Sequence, residues 1–281
     1  MQPANAVQRA YWNSDDSREW VDSPHRYDDM LAPFADALLT AVTPVTGERV
    51  LDIGCGNGAT TLMFANEVGA AGESVGVDLS EAMIANARAR AAEQGITNAT
   101  FAVADAQVDD LGAPYDIAVS RFGIMFFDDP DAACANVVGA LRTGGRVAIT
   151  CWRTVAENEW VRVQAAAVAE HVALPQPTPG EPGPFRYSDP APLVRSLERG
   201  GLAGVEAAPF DTSILLGGRG TFDDTMAYVA SSGMLRRFLT NADDEQRGRA
   251  IATVRTALER FRTDDGVRLG AAVWVVSGRR R

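Results

Sequence analysis

The chain has 281 residues, 46% of them apolar, enough for a sizeable core, and its formal net charge of −11 argues against a nucleic-acid substrate, because phosphate neutralisation needs concentrated positive charge. All 26 basic residues are arginine. Without lysine the chain has no P-loop lysine, no Schiff-base lysine and no tyrosine–lysine dehydrogenase pair, since arginine cannot supply a neutral amine.

The first 45 residues are polar and rich in aromatics: Tyr11, Trp12, Trp20 and Tyr27 accompany His25 and precede an amphipathic helix over 28–42. They contain neither a signal-peptide pattern nor an apolar run long enough to span a bilayer, so the expected compartment is cytoplasmic, with no membrane partner. Aromatics at this density suit a lid closing over an apolar ligand and equally suit a staple onto the body of the fold.

At 50–61 an apolar strand, Val50, Leu51 and Ile53, meets Gly54, Gly56 and Gly58 and then a helix expected over Ala59–Val68. Glycines there let the backbone turn sharply and approach a ligand, with the helix amides pointing back at the site. The spacing of Gly54, Gly56 and Ala59 also fits a dinucleotide pattern. A second strand ends in Asp78, twenty residues beyond Gly58, where a βαβ unit presents a carboxylate to ribose hydroxyls. Ser80 then caps a helix over Glu81–Glu93. Further strands end at Asp105 and Ser120, and a fifth over 144–152 follows a helix at 132–141.

Beyond Trp152 a helical stretch dissolves into a proline- and glycine-rich loop at 175–184. A helix over 189–202, a strand over 204–215, a mostly helical insertion at 221–263 and a last strand over 271–278 complete the pattern. The three cysteines, Cys55, Cys134 and Cys151, are unclustered, so neither a disulfide framework nor a metal site is expected. Cys55 lies in the glycine loop without a sequence neighbour that would activate it as a nucleophile.

The ordered set LDIGCGNG, VGVDLS with Met83, VADAQ, SRFGIMFF and LRTGGRVAIT resembles the class I S-adenosylmethionine (SAM)-dependent methyltransferases, in particular the small-molecule branch with the ubiquinone and menaquinone biosynthesis enzymes. The resemblance covers about the central 110 residues and implies an α/β, doubly wound Rossmann-like seven-stranded sheet. The sheet would be mostly parallel with an antiparallel last strand, and helical insertions would act as lids. One domain over 1–281 is expected: a lid at 1–45, a cofactor core at 46–153, and substrate lids with the last two strands at 154–281.

The resemblance also implies roles. Gly54, Gly56 and Gly58 would wrap the methionine and ribose portions of SAM, Asp52 would organise the amino-acid end, and Asp78 with Leu79 would meet the ribose. Met83 would pack on adenine, Asp105 and the Ala106 amide would read its edge, and the Ser120 carbonyl would flank the methionine moiety. The base-methylating branch carries Asn/Asp-Pro-Pro-aromatic after strand four, where this chain reads SRFG.

Methyl transfer by in-line displacement to oxygen or carbon of a small metabolite or natural product is the expected chemistry, with positioning as the main catalytic effect. Base candidates are His25 and Tyr11, then Tyr27 and, distantly, His171. The acceptor pocket would draw on Tyr11, Trp12, Trp20, Tyr27, Met125, Phe126 and Trp152. A nicotinamide-dependent oxidoreductase and a catalytically silent SAM-binding protein are the alternatives. Monomer and homo-oligomer remain equally open.

Overall fold

A computed structural model of the chain describes residues 3–112, 114–176, 178 and 180–281. Pro177 and Pro179 of the expected proline-rich loop lie outside the described residues. Five strands, β1 (Arg49–Ile53), β2 (Glu73–Asp78), β3 (Ala99–Val103), β4 (Tyr115–Arg121) and β5 (Leu141–Trp152), run parallel. β6 (Leu202–Leu215) and β8 (Gly266–Arg280) extend the same sheet, β8 antiparallel to both β5 and β6. The order is 3-2-1-4-5-8-6, with the two-residue β7 (Arg262–Thr263) pairing only with β8. This is the expected mixed sheet of seven main strands, with one short strand added.

Alternation along β1 decides the two layers. Val50 packs with Leu38, Val42, Phe64 and Val68, all within 2% of full burial, while Leu51 and Ile53 join the larger core on the other face. One face is covered by α3 (Pro24–Val42), α4 (Ala59–Val68) and α5 (Glu81–Glu93), the other by α6 (Pro130–Gly139) and α8 (Ala191–Arg199). Burying both faces is what makes these strands continuously apolar.

The bounds of α4 and α5 are those expected from the sequence. Two other helices start earlier than expected. Pro24 opens α3, a position where its missing N–H is no loss, and Asp129 caps α6 by accepting from the Asp131 and Ala132 amides. Leu141, expected to end α6, instead begins β5.

A roof lies over the carboxyl ends of the strands. It combines α1 (Ala6–Trp12) and α2 (Arg18–Asp22) with α7 (Glu159–Ala169), which follows β5, and the insertion between β6 and β8 that holds α9 (Phe222–Ser231), α10 (Gly233–Phe238) and α11 (Asp244–Glu259). The two parts are tied together: Arg236 donates to the Asp16 carbonyl at 2.6 Å, Arg26 to the Asp224 carbonyl at 3.0 Å, and the Tyr27 ring meets Tyr228 edge-on at 5.8 Å. No helix among the described residues is long and apolar enough to cross a membrane.

Candidate cofactor and acceptor site

The strand order reverses between β1 and its two neighbours, β2 and β4, and in open α/β sheets that switch opens a crevice beyond the strand ends. Register places Ile53 beside Val77, Asp52 beside Val119 and Asp78 beside Val103, so the loops after four strands meet at one edge.

Gly54 and Gly56 have φ of 66° and 53°. A Cβ on Gly54 would stand 2.8 Å from the Gly123 Cα, so the loops after β1 and β4 touch backbone to backbone. Phe122 adopts φ of 67° at this contact, a strained conformation for a bulky residue. Its ring is held by stacking on Trp152, with centroids 4.3 Å apart and planes at 6°, and by the edge of Phe34.

Asp78 is half-buried and accepts from the Gly56 amide at 2.8 Å and the Ser80 amide at 2.9 Å, one bond to each oxygen. Burial raises its pKa, opposed by those amides. Asp52 is 1% exposed; Oδ2 accepts from the Thr61 hydroxyl at 2.7 Å, while Oδ1 is enclosed without a partner among the described residues. Burial pushes its carboxyl up to about 6, against the Thr61 hydroxyl and the Arg121 charge.

Asp105 is 2% exposed, beside the buried Ala106 amide, and Met83 is buried on α5 with its sulfur 3.7 Å from where a Gly56 Cβ would be. The Ser120 hydroxyl is committed: it donates to the Ile53 carbonyl at 2.8 Å and accepts from the Ile124 amide. Leu79 offers its carbonyl to the Asn13 side chain at 3.0 Å, and Asn13 also accepts from the Glu81 amide.

The lid aromatics fall into two groups. Trp20 stacks on Tyr27 at 3.6 Å, and both line a small cavity of about 70 Å³ with Gly54, Gly56, Thr60, Arg121 and Phe122. Trp12 meets Trp20 and Phe126 edge-on, while Tyr11 reaches toward Gly233 of α10. Met125 and Trp152 are within 5% of full burial and belong to the aromatic core beneath the cavity. His25 is exposed, and His171 shares a 2.7 Å hydrogen bond with Thr253 far from the loops. Burial raises the pKa of Tyr11 and Tyr27, keeping both phenols protonated. It pushes the Cys55 thiol well up, the opposite of an activated nucleophile.

Three polar residues at this edge carry no sequence signal strong enough to single them out. Arg121 reaches the cavity with one bond, 3.5 Å to the Leu31 carbonyl, while the neighbouring Asp28 is committed to Arg90 at 2.5 Å. Glu19 has a buried oxygen, Oε1, without a partner among the described residues, and burial raises its pKa between the Tyr27 and Ser231 hydroxyls. Asn5 is fully buried against Asp105.

Residues 44–178 match the family described as the methyltransferase domain. Over that stretch, just under half of its length, the chain is similar to a methyltransferase domain. Aklanonic acid methyltransferase DauC of Streptomyces sp. (strain C5) is 37% identical over 123 residues, which cover 43% of this chain and 56% of that protein. The ubiquinone/menaquinone biosynthesis C-methyltransferase UbiE of Idiomarina loihiensis is 36% identical over 107 residues, 37% of this chain and 42% of that one. The match thus spans about half the length of these curated relatives. Phosphoethanolamine N-methyltransferase 2 of Haemonchus contortus, solved in complex with S-adenosyl-L-methionine, shares the fold at a TM-score of 0.57 with 19% identity, over 97% of this chain and 60% of that one.

Proposed function

We propose that this chain transfers a methyl group from SAM to an oxygen or carbon of a small-molecule acceptor, as one domain whose roof selects the acceptor. The observation that carries the reading is the row of carboxylates Asp52, Asp78 and Asp105 along one edge of the sheet, with the methyltransferase domain match covering all three. The two curated relatives act on small molecules by name, one on aklanonic acid and one in quinone biosynthesis.

The residues fit such a group. The unpartnered Oδ1 of Asp52 suits an α-ammonium, and Arg121, with the uncapped first turn of α4, suits an α-carboxylate. Asp78 has lone pairs left after its two amide bonds, as a carboxylate accepts about four, and these suit ribose hydroxyls. Met83 and the Asp105 loop suit a purine. When bound, SAM supplies a methyl already activated on a sulfonium, and its transfer leaves a neutral thioether.

The remaining work belongs to the chain. The roof excludes water and the Trp20–Tyr27 stack borders the cavity, so acceptor placement is the main contribution, with cationic character at the reacting centre tolerated by the aromatic faces. A hydroxyl acceptor must lose a proton. Glu19 joins the exposed His25 as a candidate for that step, because its carboxylate lies between the Tyr27 and Ser231 hydroxyls with Oε1 buried, whereas Tyr11, held protonated by burial, is unsuited to accept a proton.

Calorimetric titration with S-adenosylhomocysteine (SAH) tests the reading: saturable binding with 1:1 stoichiometry is expected. Absence of binding, or tighter binding of NAD, overturns it.

A further inference from the structure

Asn5 stands at the adenine end of the proposed site, although no motif points to it. It is 0% exposed and adopts φ of 51°, a conformation asparagine tolerates better than most residues. It occupies the N-cap position of α1, yet its side chain makes no capping bond. The carboxamide is used elsewhere: Nδ2 donates to Asp105 Oδ1 at 2.7 Å, and Oδ1 accepts from the Asp128 amide at 2.7 Å. Its own carbonyl accepts from the Arg9 amide at 2.7 Å and so starts α1.

Asp105 lies in the loop after β3 and Asp128 in the loop after β4, so a single carboxamide joins the two loops. Asp105 Oδ1 also accepts from the Gln107 amide at 3.0 Å, which fills that oxygen. Among the described residues no donor reaches Oδ2. Oδ2 is not sealed within the protein, and it is the carboxylate oxygen left available to a ligand N–H.

We propose that Asn5 is a positioning residue of the cofactor site, holding Asp105 so that Oδ2 faces the exocyclic amino group of adenine and docking the N-terminal segment over the base. The inference rests on the SAM reading above. It means that the segment through Trp12 and the purine are bound together: the base supplies the donor that Oδ2 lacks, and Asn5 keeps that oxygen aimed at it.

The test compares SAH with S-inosylhomocysteine, in which a carbonyl replaces the adenine amino group. The full chain and its Asn5→Gly variant are used, glycine keeping the left-handed backbone while removing the carboxamide. Wild type is expected to prefer SAH by about tenfold or more, and Asn5→Gly to retain about threefold or less of that preference. Hydrogen exchange of amides 3–14 should slow when SAH binds wild type and respond less in the variant. Asn5→Asp, which sets a second carboxylate against Asp105, should lose SAH affinity further.

Wild type that fails to bind SAH removes the functional reading together with this inference. Wild type that binds and prefers SAH, while Asn5→Gly keeps the full preference, overturns the inference alone. If Asn5→Gly does not fold, the wild-type exchange decides: amides 3–14 unaffected by SAH overturn it.

Discussion

Lowering the pH from 7 to 5 tests the amino-acid end of the site through Asp52. Its Oδ1 is buried without a partner among the described residues, and burial lifts the carboxyl from 3.8 to about 6. Holding the charge therefore costs the ligand-free protein ~3 kcal/mol. An α-ammonium beside Oδ1 removes that penalty and returns the pKa toward its ordinary value. Because the folded-state pKa is raised, the ligand-free protein keeps this proton up to about pH 6, whereas the complex and the unfolded chain lose it near 4. Binding thus releases a proton between these limits, and affinity weakens as pH falls through 6. The expected SAH affinity at pH 5 is about tenfold below that at pH 7. Stability carries the same sign: the penalty is present above pH 6 and fades as pH falls toward 4, so Asp52→Asn should stabilise the ligand-free protein at pH 7 while weakening SAH binding. Calorimetry at pH 5, 6 and 7 in two buffers of different ionisation enthalpy counts the released protons. Asp78, also raised by burial, is present in both proteins, so the difference between wild type and Asp52→Asn isolates Asp52. An affinity independent of pH in wild type, or the same pH slope in the variant, refutes the assignment.

Asp78→Ala removes the proposed ribose acceptor and leaves the Gly56 and Ser80 amides without their partner, so SAH affinity should fall by ~1.5–3 kcal/mol; unchanged affinity would contradict the whole register of the site. Arg121→Gln should weaken SAH by about tenfold or more while leaving methylthioadenosine, which lacks the amino-acid portion, within about twofold. Equal losses for both ligands would show that Arg121 supports the fold rather than a carboxylate. Gly58→Ala combines φ of 81° with a Cβ 2.8 Å from the Phe101 ring and 2.9 Å from the Ala87 Cβ, and should destabilise by ~2–4 kcal/mol in chemical denaturation. Gly47→Ala meets nothing within 4 Å at φ of 92° and should cost only the backbone strain, ~1–2 kcal/mol.

The core of the fold was legible because its signals are local. β1 is apolar on both faces because helices cover both, and Ser80 sets the start of α5 by accepting from the Met83 amide. The carboxylates Asp78 and Asp105 could be ordered from sequence because Asp78 ends β2 and Asp105 follows β3 by two residues, and the parallel crossover makes those strands neighbours. Local signals misled where two rules overlapped. Ala140 and Leu141 continue the apolar run of Val137 and Val138 past Gly139, so helical periodicity extended α6 into a residue that β4 pairing claims for β5.

The roof was legible only as a region, and the reason lies in chain separation. Asn5 bonds a residue 100 positions away, Tyr228 bonds Met30 across 198, and Arg236 reaches Asp16 across 220. Nothing in an isolated asparagine, glutamate or arginine distinguishes a solvated side chain from one enclosed by a distant loop. The aromatics do announce burial, but not which neighbour buries them. Trp152, which follows strand five at the ligand edge, is committed to Phe122, Phe34 and Trp160, whereas Trp20 and Tyr27 reach the cavity. On the proposed function, acceptor choice depends on how the N-terminal segment and the α9–α10 insertion meet. Changes on the α9 side of their contacts, such as Tyr228→Phe, should alter acceptor preference while leaving SAH affinity within about threefold, because Tyr228 packs on Tyr27 but does not itself line the cavity of the glycine loop.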